Sequence, residues 1–229
     1  MAKISYPNPT FNPDKGRVII PVRLSYFKGF KKTASVEGGG LKYRMNGLID
    51  PETPIGEKSI AVINKARKHL INATWAGKDF DKFIKGLGDR GGLFDGNDNT
   101  NDDGDIREHY EDMKYLSLNS DKLPRYLNRR GEEIDDTEER EALFVSGYHA
   151  LVYFHFYPIK DKAKGGNGIF ANVDAVQFLA KDEEFTGGGM DDDEIINLGD
   201  DDDDDMDASS KSKGKAKSKR PSIDDDDDI

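Results

Sequence analysis

Three consecutive glycines, Gly187–Gly189, separate two parts of the chain that differ sharply in composition. The part after them, residues 190–229, contains 16 acidic residues, six basic residues and no aromatic residue. A segment of this composition buries too little apolar surface to offset the conformational entropy that ordering costs. The sequence therefore predicts a disordered acidic tail over 190–229 and confines any folded domain to residues 1–189.

The folded part consists mainly of predicted β-strands. Five segments are rich in β-branched and aromatic residues, which is typical of strands: 16–27, 41–49, 113–120, 142–159 and 169–180. In segment 142–159, one side of the strand carries Ala150, Val152, Phe154 and Phe156. In segment 16–27, Pro21 predicts a strand edge or a bulge. Because closing a sheet on itself removes its exposed edges, we predict an all-β fold, a small β-barrel.

One helical segment interrupts the strands. Within residues 57–74, apolar side chains recur every three or four positions, and residues 79–87 indicate a second short helix. The run GLGDRG at 86–91 matches the dinucleotide-binding fingerprint in its letters. That motif needs a strand before it, whereas a helical pattern precedes it here, so we interpret it as the end of a helix and a loop.

The sequence carries no recognisable catalytic or metal-binding motif. The chain has no cysteine, and its four histidines share no metal-ligand spacing. Residues 99–110 resemble a calcium-binding loop at the first ligand positions, but Tyr110 stands where the bidentate glutamate is needed, which favours a solvated acidic loop. The most apolar run, 150–159, is too short to span a bilayer. We predict no catalytic residue, no metal, no cofactor and no membrane contact.

Charge is distributed unevenly along the folded part. Residues 1–90 carry 17 basic and eight acidic residues, a net charge of +9, whereas residues 91–189 carry 11 basic and 21 acidic residues, a net charge of -10. The net charge of -11 for the whole chain therefore conceals a basic N-terminal half. A basic segment of this kind is compatible with a nucleic-acid partner.

Aromatic and basic residues alternate in three clusters, SYFKGFKK, KYR and PRYLNRR, and two further tyrosines lie on a strand face opposite the apolar one. Single-stranded DNA is bound by this combination, because cations neutralise phosphates and flat rings stack on unpaired bases. We predict that DNA binding involves Tyr26, Phe27, Lys28, Phe30, Lys31, Lys32, Lys42, Tyr43, Arg44, Arg125, Tyr126, Arg129, Arg130, Tyr153 and Tyr157. Since aromatic residues in strands are often part of the core, some of these rings are expected to be buried.

The tail suggests two roles. A polyanion tethered to a cationic domain competes with DNA at high effective concentration. The chain ends with five aspartates, Asp224, Asp225, Asp226, Asp227 and Asp228, followed by Ile229. We predict that these residues contact a partner, with the aspartates meeting basic groups and the isoleucine filling an apolar pocket.

Several stretches are similar to a known family. They are residues 16–27, the DGD at 103–105, residues 115–134, 144–159 and 165–179, and the FTGGG that precedes the tail. In their order they resemble the single-stranded DNA-binding proteins of tailed bacteriophages, including the gene 2.5 type. The resemblance implies an OB-fold core over residues 1–189 that binds single strands without strong sequence preference.

The resemblance also implies the protein's setting. The protein would act in phage DNA replication, recombination and repair, in the cytoplasm of the infected bacterial host. Its tail would bind phage replication proteins, namely the polymerase and the helicase-primase, and would support a homodimer. Tails of this family commonly end in an aromatic residue, so Ile229 leaves the partner's identity open.

Two alternatives remain at the level of sequence. A histone-chaperone-like protein also combines a β-core with acidic tracts, and residues 211–220 could serve as a nuclear localisation signal. Such a protein would bind basic proteins and ignore single-stranded DNA, but the charge of +9 over residues 1–90 argues against it. A metal-dependent nuclease that uses the acidic loop is the second alternative.

Overall fold

A computed structural model describes residues 4–34, 40–101 and 103–185. Its strands are β1 (Thr10–Asn12), β2 (Arg17–Thr33), β3 (Lys42–Ile49), β4 (Phe94–Asp95), β5 (Lys114–Ser120), β6 (Arg125–Leu127), β7 (His149–Ile159) and β8 (Gly168–Ala180). Its α-helices are α1 (Pro54–Thr74), α2 (Phe80–Leu87) and α3 (Thr137–Leu143). No helix within these ranges is both long and apolar enough to cross a membrane.

Five strands close into a barrel, which confirms the predicted fold class. β3, β2, β7 and β8 are antiparallel neighbours in that order, and β5 pairs antiparallel with β3. The ring closes where β5 meets β8 in parallel. A closed ring with an odd number of strands cannot be antiparallel throughout, so at least one neighbouring pair must be parallel. β6 adds a second parallel pair along β8.

The interior face of β7 is the one predicted from the sequence. Ala150, Val152, Phe154 and Phe156 are all buried in the barrel core. Beyond the buried Leu151, they alternate with the partly exposed Tyr153, His155 and Tyr157, which reflects the two-residue period of a strand that faces the core on one side.

Pro21 lies at a gap in the pairing of β2. On one side of β2, β1 pairs only as far as Ile19 and β3 begins to pair at Arg23. Pro21 therefore falls between the two partners, where its missing N–H removes no ladder bond. Of the edge or bulge predicted from the sequence, the structure shows a local edge on this side of β2, while Pro21 pairs with Leu151 of β7 on the other side.

Both predicted helices are present. Thr53 caps α1, because its hydroxyl oxygen accepts a hydrogen bond from the Gly56 amide at 3.1 Å, and Pro54 occupies the first turn, where no N–H is needed. Ile63 and Ile71 of α1 are buried in the barrel core.

The GLGDRG run is the end of a helix and a loop, as interpreted from the sequence. α2 ends at Leu87, and a 3-10 turn follows over Gly88–Arg90. Gly88 has φ +54°, a conformation that favours glycine at this position.

The fourth predicted strand begins later than expected. Residues 142–143 belong to α3, and β7 starts only at His149. Asp136 caps α3 by accepting a hydrogen bond from the Glu139 amide at 2.7 Å, and Gly147, with φ +102°, interrupts any strand before β7. The prediction had one inserted helical segment, over α1 and α2, and the structure adds a separate helix, α3, before β7.

The predicted tail, 190–229, lies outside the described residues. Its disorder and the roles of Asp224–Asp228 and Ile229 therefore stay predictions.

Candidate nucleic-acid interface

A bulge in β2 exposes one of the predicted stacking residues. The pairing of β2 with β3 shifts between Ser25 and Lys28, so that β2 holds an extra residue there. Tyr26 within this bulge has φ +44°, which is unusual for a residue other than glycine. Its side chain is 45% exposed. The bulge therefore presents an aromatic ring at the surface, and backbone strain of this kind is often concentrated at binding sites.

Arg107 fixes the exposed ring. Its guanidinium carbon lies 5.4 Å from the Tyr26 ring centroid, and its Nη1 donates a hydrogen bond to the Tyr26 hydroxyl at 3.0 Å. Both contacts restrict the rotamers of Tyr26, so less entropy would be lost when the ring stacks on a ligand.

Tyr110 connects this site to the sheet. Its ring centroid lies 6.0 Å from that of Tyr26. Its hydroxyl accepts a hydrogen bond from Asn46 Nδ2 at 2.8 Å and donates one to Ser25 Oγ at 3.1 Å. Burial raises the pKa of Tyr110 above its ordinary value, and the two hydrogen bonds oppose that rise. The Tyr26 ring therefore lies beside a rigid, buried hydrogen-bonded group.

A groove runs beside Tyr26 along the outer face of β3. We call it the β3 groove; the lining side chains that could contact a ligand are Tyr26, Lys28, Arg44, Asn46, Asn99 and Arg107. Three of these are cations, and none of the described lining residues is a carboxylate. The groove therefore combines positive charge with an exposed ring.

The surface continues from the β3 groove toward β5, where an ion pair with Asp121 at 3.6 Å offsets the charge of Lys42. Lys28 pairs with Arg44, and Arg44 pairs with Asn119, so these residues form a row across three strands. Asn119 Oδ1 lies 3.5 Å from both Lys42 Nζ and the Tyr157 hydroxyl. The structure thus brings five of the predicted residues to one region: Tyr26, Lys28, Lys42, Arg44 and Tyr157.

Tyr126 is part of the core, and its predicted stacking on DNA was wrong. It is only 1% exposed, and its hydroxyl donates a hydrogen bond to the Gly29 carbonyl at 2.7 Å. Its ring contacts Phe144, with the centroids 4.9 Å apart. Burial raises the pKa of Tyr126. Tyr126 pairs with Val176 of β8, which is also fully buried, so its ring lies on the inner face and cannot reach a base.

Phe27 and Phe30 pack on the same buried cluster. Their ring centroids are 5.0 Å apart, and that of Phe30 lies 5.1 Å from that of Tyr126. Both are half-buried against the core. These contacts give Phe27 and Phe30 a structural role, and their contact with DNA stays a prediction.

Three further predicted residues, Lys31, Lys32 and Tyr43, lie at the end of β2 and the start of β3. Lys31 and Lys32 are exposed, and Lys32 Nζ lies 5.6 Å from the ring centroid of half-buried Tyr43. These side chains are accessible to solvent but do not line the β3 groove.

The remaining predicted residues lie on a second surface, formed by β7, β8 and β6. Tyr153 pairs with Ala175, which in turn pairs with Arg125. The Arg125 guanidinium forms an ion pair with Glu133 at 2.9 Å. That carboxylate offsets the charge that Arg125 would offer to a phosphate.

Arg129 and Arg130 are exposed in the turn after β6. Gln177 links this turn to β7: its Oε1 accepts a hydrogen bond from the Tyr153 hydroxyl at 2.6 Å, and its Nε2 donates one to the Arg129 carbonyl at 3.2 Å. Arg125, Arg129, Arg130 and Tyr153 therefore lie on a surface outside the β3 groove, which none of them lines.

Comparison with known proteins identifies the family. The model of the family of the single-stranded DNA-binding protein of Enterobacter phage Enc34 matches residues 17–207, which is most of the chain. This chain belongs to the Enc34 family. Membership confirms the resemblance to phage single-stranded DNA-binding proteins and the prediction of a binding protein rather than an enzyme.

Solved structures of the Enc34 protein are similar in fold. Its complex with single-stranded DNA aligns with a TM-score of 0.61 at 19% identity, over 81% of this chain and 99% of that chain. A C-terminally truncated form aligns with a TM-score of 0.61 at 20% identity, over the same shares. The gp2.5 protein encoded by bacteriophage T7 has a TM-score of 0.43 at 14% identity, over 80% of this chain and 97% of that chain. No curated protein sequence matches.

Sequence reasoning missed Arg107. It lies in the acidic loop that resembled a calcium site, where a lone cation gives no local signal of a role in binding. In that loop Asn101 Oδ1 accepts hydrogen bonds from the amides of Asp103 and Asp105, at 3.0 and 2.9 Å. The described residues contain no cluster of three or more side chains suited to a metal. In this member of the Enc34 family, the loop supplies a cation to the β3 groove.

Proposed function

We propose that this protein binds single-stranded DNA through the β3 groove, without catalysis and without strong sequence preference. The observation that carries the proposal is the exposed Tyr26 ring beside a groove with three cations and no carboxylate among its described lining residues. The similar fold of the Enc34 protein, which has been solved in complex with single-stranded DNA, supports it. The outer face of the second and third strands of an OB-fold, here β3 and β5, is where such barrels bind oligonucleotides.

Each part of the groove has a defined task in this proposal. Lys28, Arg44 and Arg107 would neutralise phosphates, which gives affinity that falls as salt rises. Tyr26 would stack on a base, a contact that tolerates any base because every base has a π-face. Duplex DNA hides those faces, so the groove should favour single strands.

The proposal is tested by titrating the protein with a short single-stranded oligonucleotide and with its duplex, at low salt, by fluorescence anisotropy. We expect clear binding to the single strand and weaker binding to the duplex. No affinity for the single strand, or equal affinity for both forms, would contradict the proposal.

Charge reversal at Lys28 tests the location of the site. Lys28 is exposed and lines the groove. We expect Lys28→Glu to lower affinity for the single strand by about three- to tenfold at low salt and to reduce the salt slope by about 0.7. The matched control is Lys68→Glu, which makes the same charge change on exposed helix α1, away from the groove. Equal losses for both variants would show that net charge, not the groove, is responsible.

In the cell, we propose that the protein coats and protects single strands during phage DNA replication, recombination and repair. By binding the melted form of DNA, it would also shift hairpins toward open strands by mass action. The setting that we propose is the cytoplasm of the infected bacterial host.

We further propose that the tail has two functions. It would recruit phage replication proteins, the polymerase and the helicase-primase, through Asp224–Asp228 and Ile229, and it would support a homodimer. It would also compete with DNA for the cationic groove, because residues 190–229 carry a net charge of -10 from 16 acidic and six basic residues.

Removing the tail tests the competition. We expect deletion of residues 190–229 to tighten binding to a single strand by roughly tenfold at low salt, and the gain to shrink as salt rises. A full-length variant with asparagines at 200–205 and 224–228 controls for chain length and should show most of the same gain. Unchanged or weaker binding after truncation would refute the competition.

A further inference from the structure

The chain does not leave the barrel directly after β8. Residues 181–185, which we call the strap, fold back over the turn that leads into β7. The Phe185 amide donates a hydrogen bond to the Ser146 carbonyl at 2.9 Å, and the Tyr148 hydroxyl donates one to Glu184 Oε1 at 2.6 Å. The strap is therefore fixed to the barrel at several points.

Phe185, the last residue of the strap, packs against the side chains of His109 and Arg23. The Phe185 ring stacks on the His109 imidazole, with centroids 3.8 Å apart and an angle of 11° between the planes. The Arg23 guanidinium carbon lies 4.3 Å from the same ring. Arg23 is itself fixed by hydrogen bonds to the Gly147 and Glu183 carbonyls, at 2.7 and 2.9 Å. Phe185 thus joins the strap to the acidic loop.

His109 occupies a strained position in that loop. Residues 107–110 form a turn, closed by a hydrogen bond from the Tyr110 amide to the Arg107 carbonyl at 3.0 Å. His109 is the third residue of this turn and has φ +66°. Turns of this shape favour glycine there, because a side chain in the left-handed region carries a steric cost. The stack on Phe185 offsets that cost.

The first residue of the same turn is Arg107, which contacts Tyr26 in the β3 groove. We propose that Phe185 is a positioning residue for DNA binding: its stack on His109 holds the turn in the conformation that places Arg107 against Tyr26. The inference rests on the proposed function of the groove. It assigns to the strap a role in DNA affinity although Phe185 does not line the groove.

A double-mutant cycle on single-strand affinity tests the inference in the full-length protein. We expect Phe185→Ala to weaken binding by about three- to tenfold. In a chain that already carries Arg107→Ala, the same change should have no further effect, because the residue that Phe185 positions is gone. Phe185→Tyr keeps the ring and should retain the affinity of the unchanged protein.

Tyr148→Phe is the matched control. It breaks the strap's hydrogen bond to Glu184 without changing charge and without touching His109, so affinity should stay the same. Where Phe185→Ala does not fold, Phe185→Leu, which keeps apolar volume against Arg23 but lacks a flat ring, takes its place in the cycle.

The outcomes separate the two proposals. The positioning role is overturned if the folded Phe185 variant binds the single strand as tightly as the unchanged protein. It is also overturned if the Phe185 change weakens binding as much in the Arg107→Ala chain as in the unchanged protein. If Arg107→Ala and Tyr26→Ala both leave affinity unchanged, the β3 groove itself is not the DNA site, and the inference fails with it.

Discussion

Replacing Tyr26 with alanine is expected to weaken binding to single-stranded DNA by about 1–3 kcal/mol, roughly 5- to 150-fold in the dissociation constant. The reason is that the exposed ring at the β2 bulge offers a flat face on which a base can stack, beside three cations that line the same groove. The measurement is fluorescence anisotropy with a short oligonucleotide at fixed salt.

Tyr26→Phe separates the ring from its hydroxyl. This variant keeps the stacking surface and loses only the hydrogen bond from Arg107, so most of the affinity should remain. Alanine, phenylalanine and tyrosine all carry a Cβ, so the steric cost of φ +44° is similar in all three. A Tyr26→Ala variant that binds like the unchanged protein would exclude base stacking at this position.

Replacing Tyr126 with alanine should lower the free energy of unfolding by about 3–5 kcal/mol, the range found for large aromatic residues removed from a core. The change leaves a cavity beside Phe144 and removes the hydroxyl that donates to the Gly29 carbonyl. Unfolding in urea, followed by far-UV circular dichroism, measures the loss.

DNA binding gives the contrast between the two tyrosines. Where Tyr126→Ala is still folded, its affinity for the single strand should stay within about twofold of the unchanged protein, since a side chain that is 1% exposed cannot meet a base. A loss of less than about 1 kcal/mol in stability, or a loss of affinity as large as that of Tyr26→Ala, would contradict the assignment of Tyr126 to the core.

The barrel strands and the first two helices could be predicted because their signals are local. The two-residue alternation from Ala150 to Phe156 marks one face of β7, and the apolar spacing within 57–74 marks α1. α3 was missed although its cap, Asp136, is also a local signal, because the apolar run after it was assigned to a strand. β6, with three residues, is too short for a periodic pattern.

The candidate site was only partly predictable. The residue types were recognisable, since Tyr26 and Tyr126 both occur among lysines or arginines. Their exposure differs because of contacts with strands that are distant in sequence. The bulge against β3 leaves Tyr26 exposed, and the register of β6 against β8 places Tyr126 opposite the buried Val176. Arg107 reaches Tyr26 across 81 positions of sequence, so no local pattern could connect them.

The sequence by itself predicted that residues 190–229 form no hydrophobic core and that strands in residues 1–189 have one apolar face. Both follow from composition and periodicity, which are properties of residues that are neighbours in sequence. Only the tertiary structure decided which rings and cations share a surface. In a sheet, a shift of one residue moves a side chain to the opposite face. The exposure of Tyr26, the burial of Tyr126 and the contact between His109 and Phe185 therefore follow from strand register and from loop packing between distant segments.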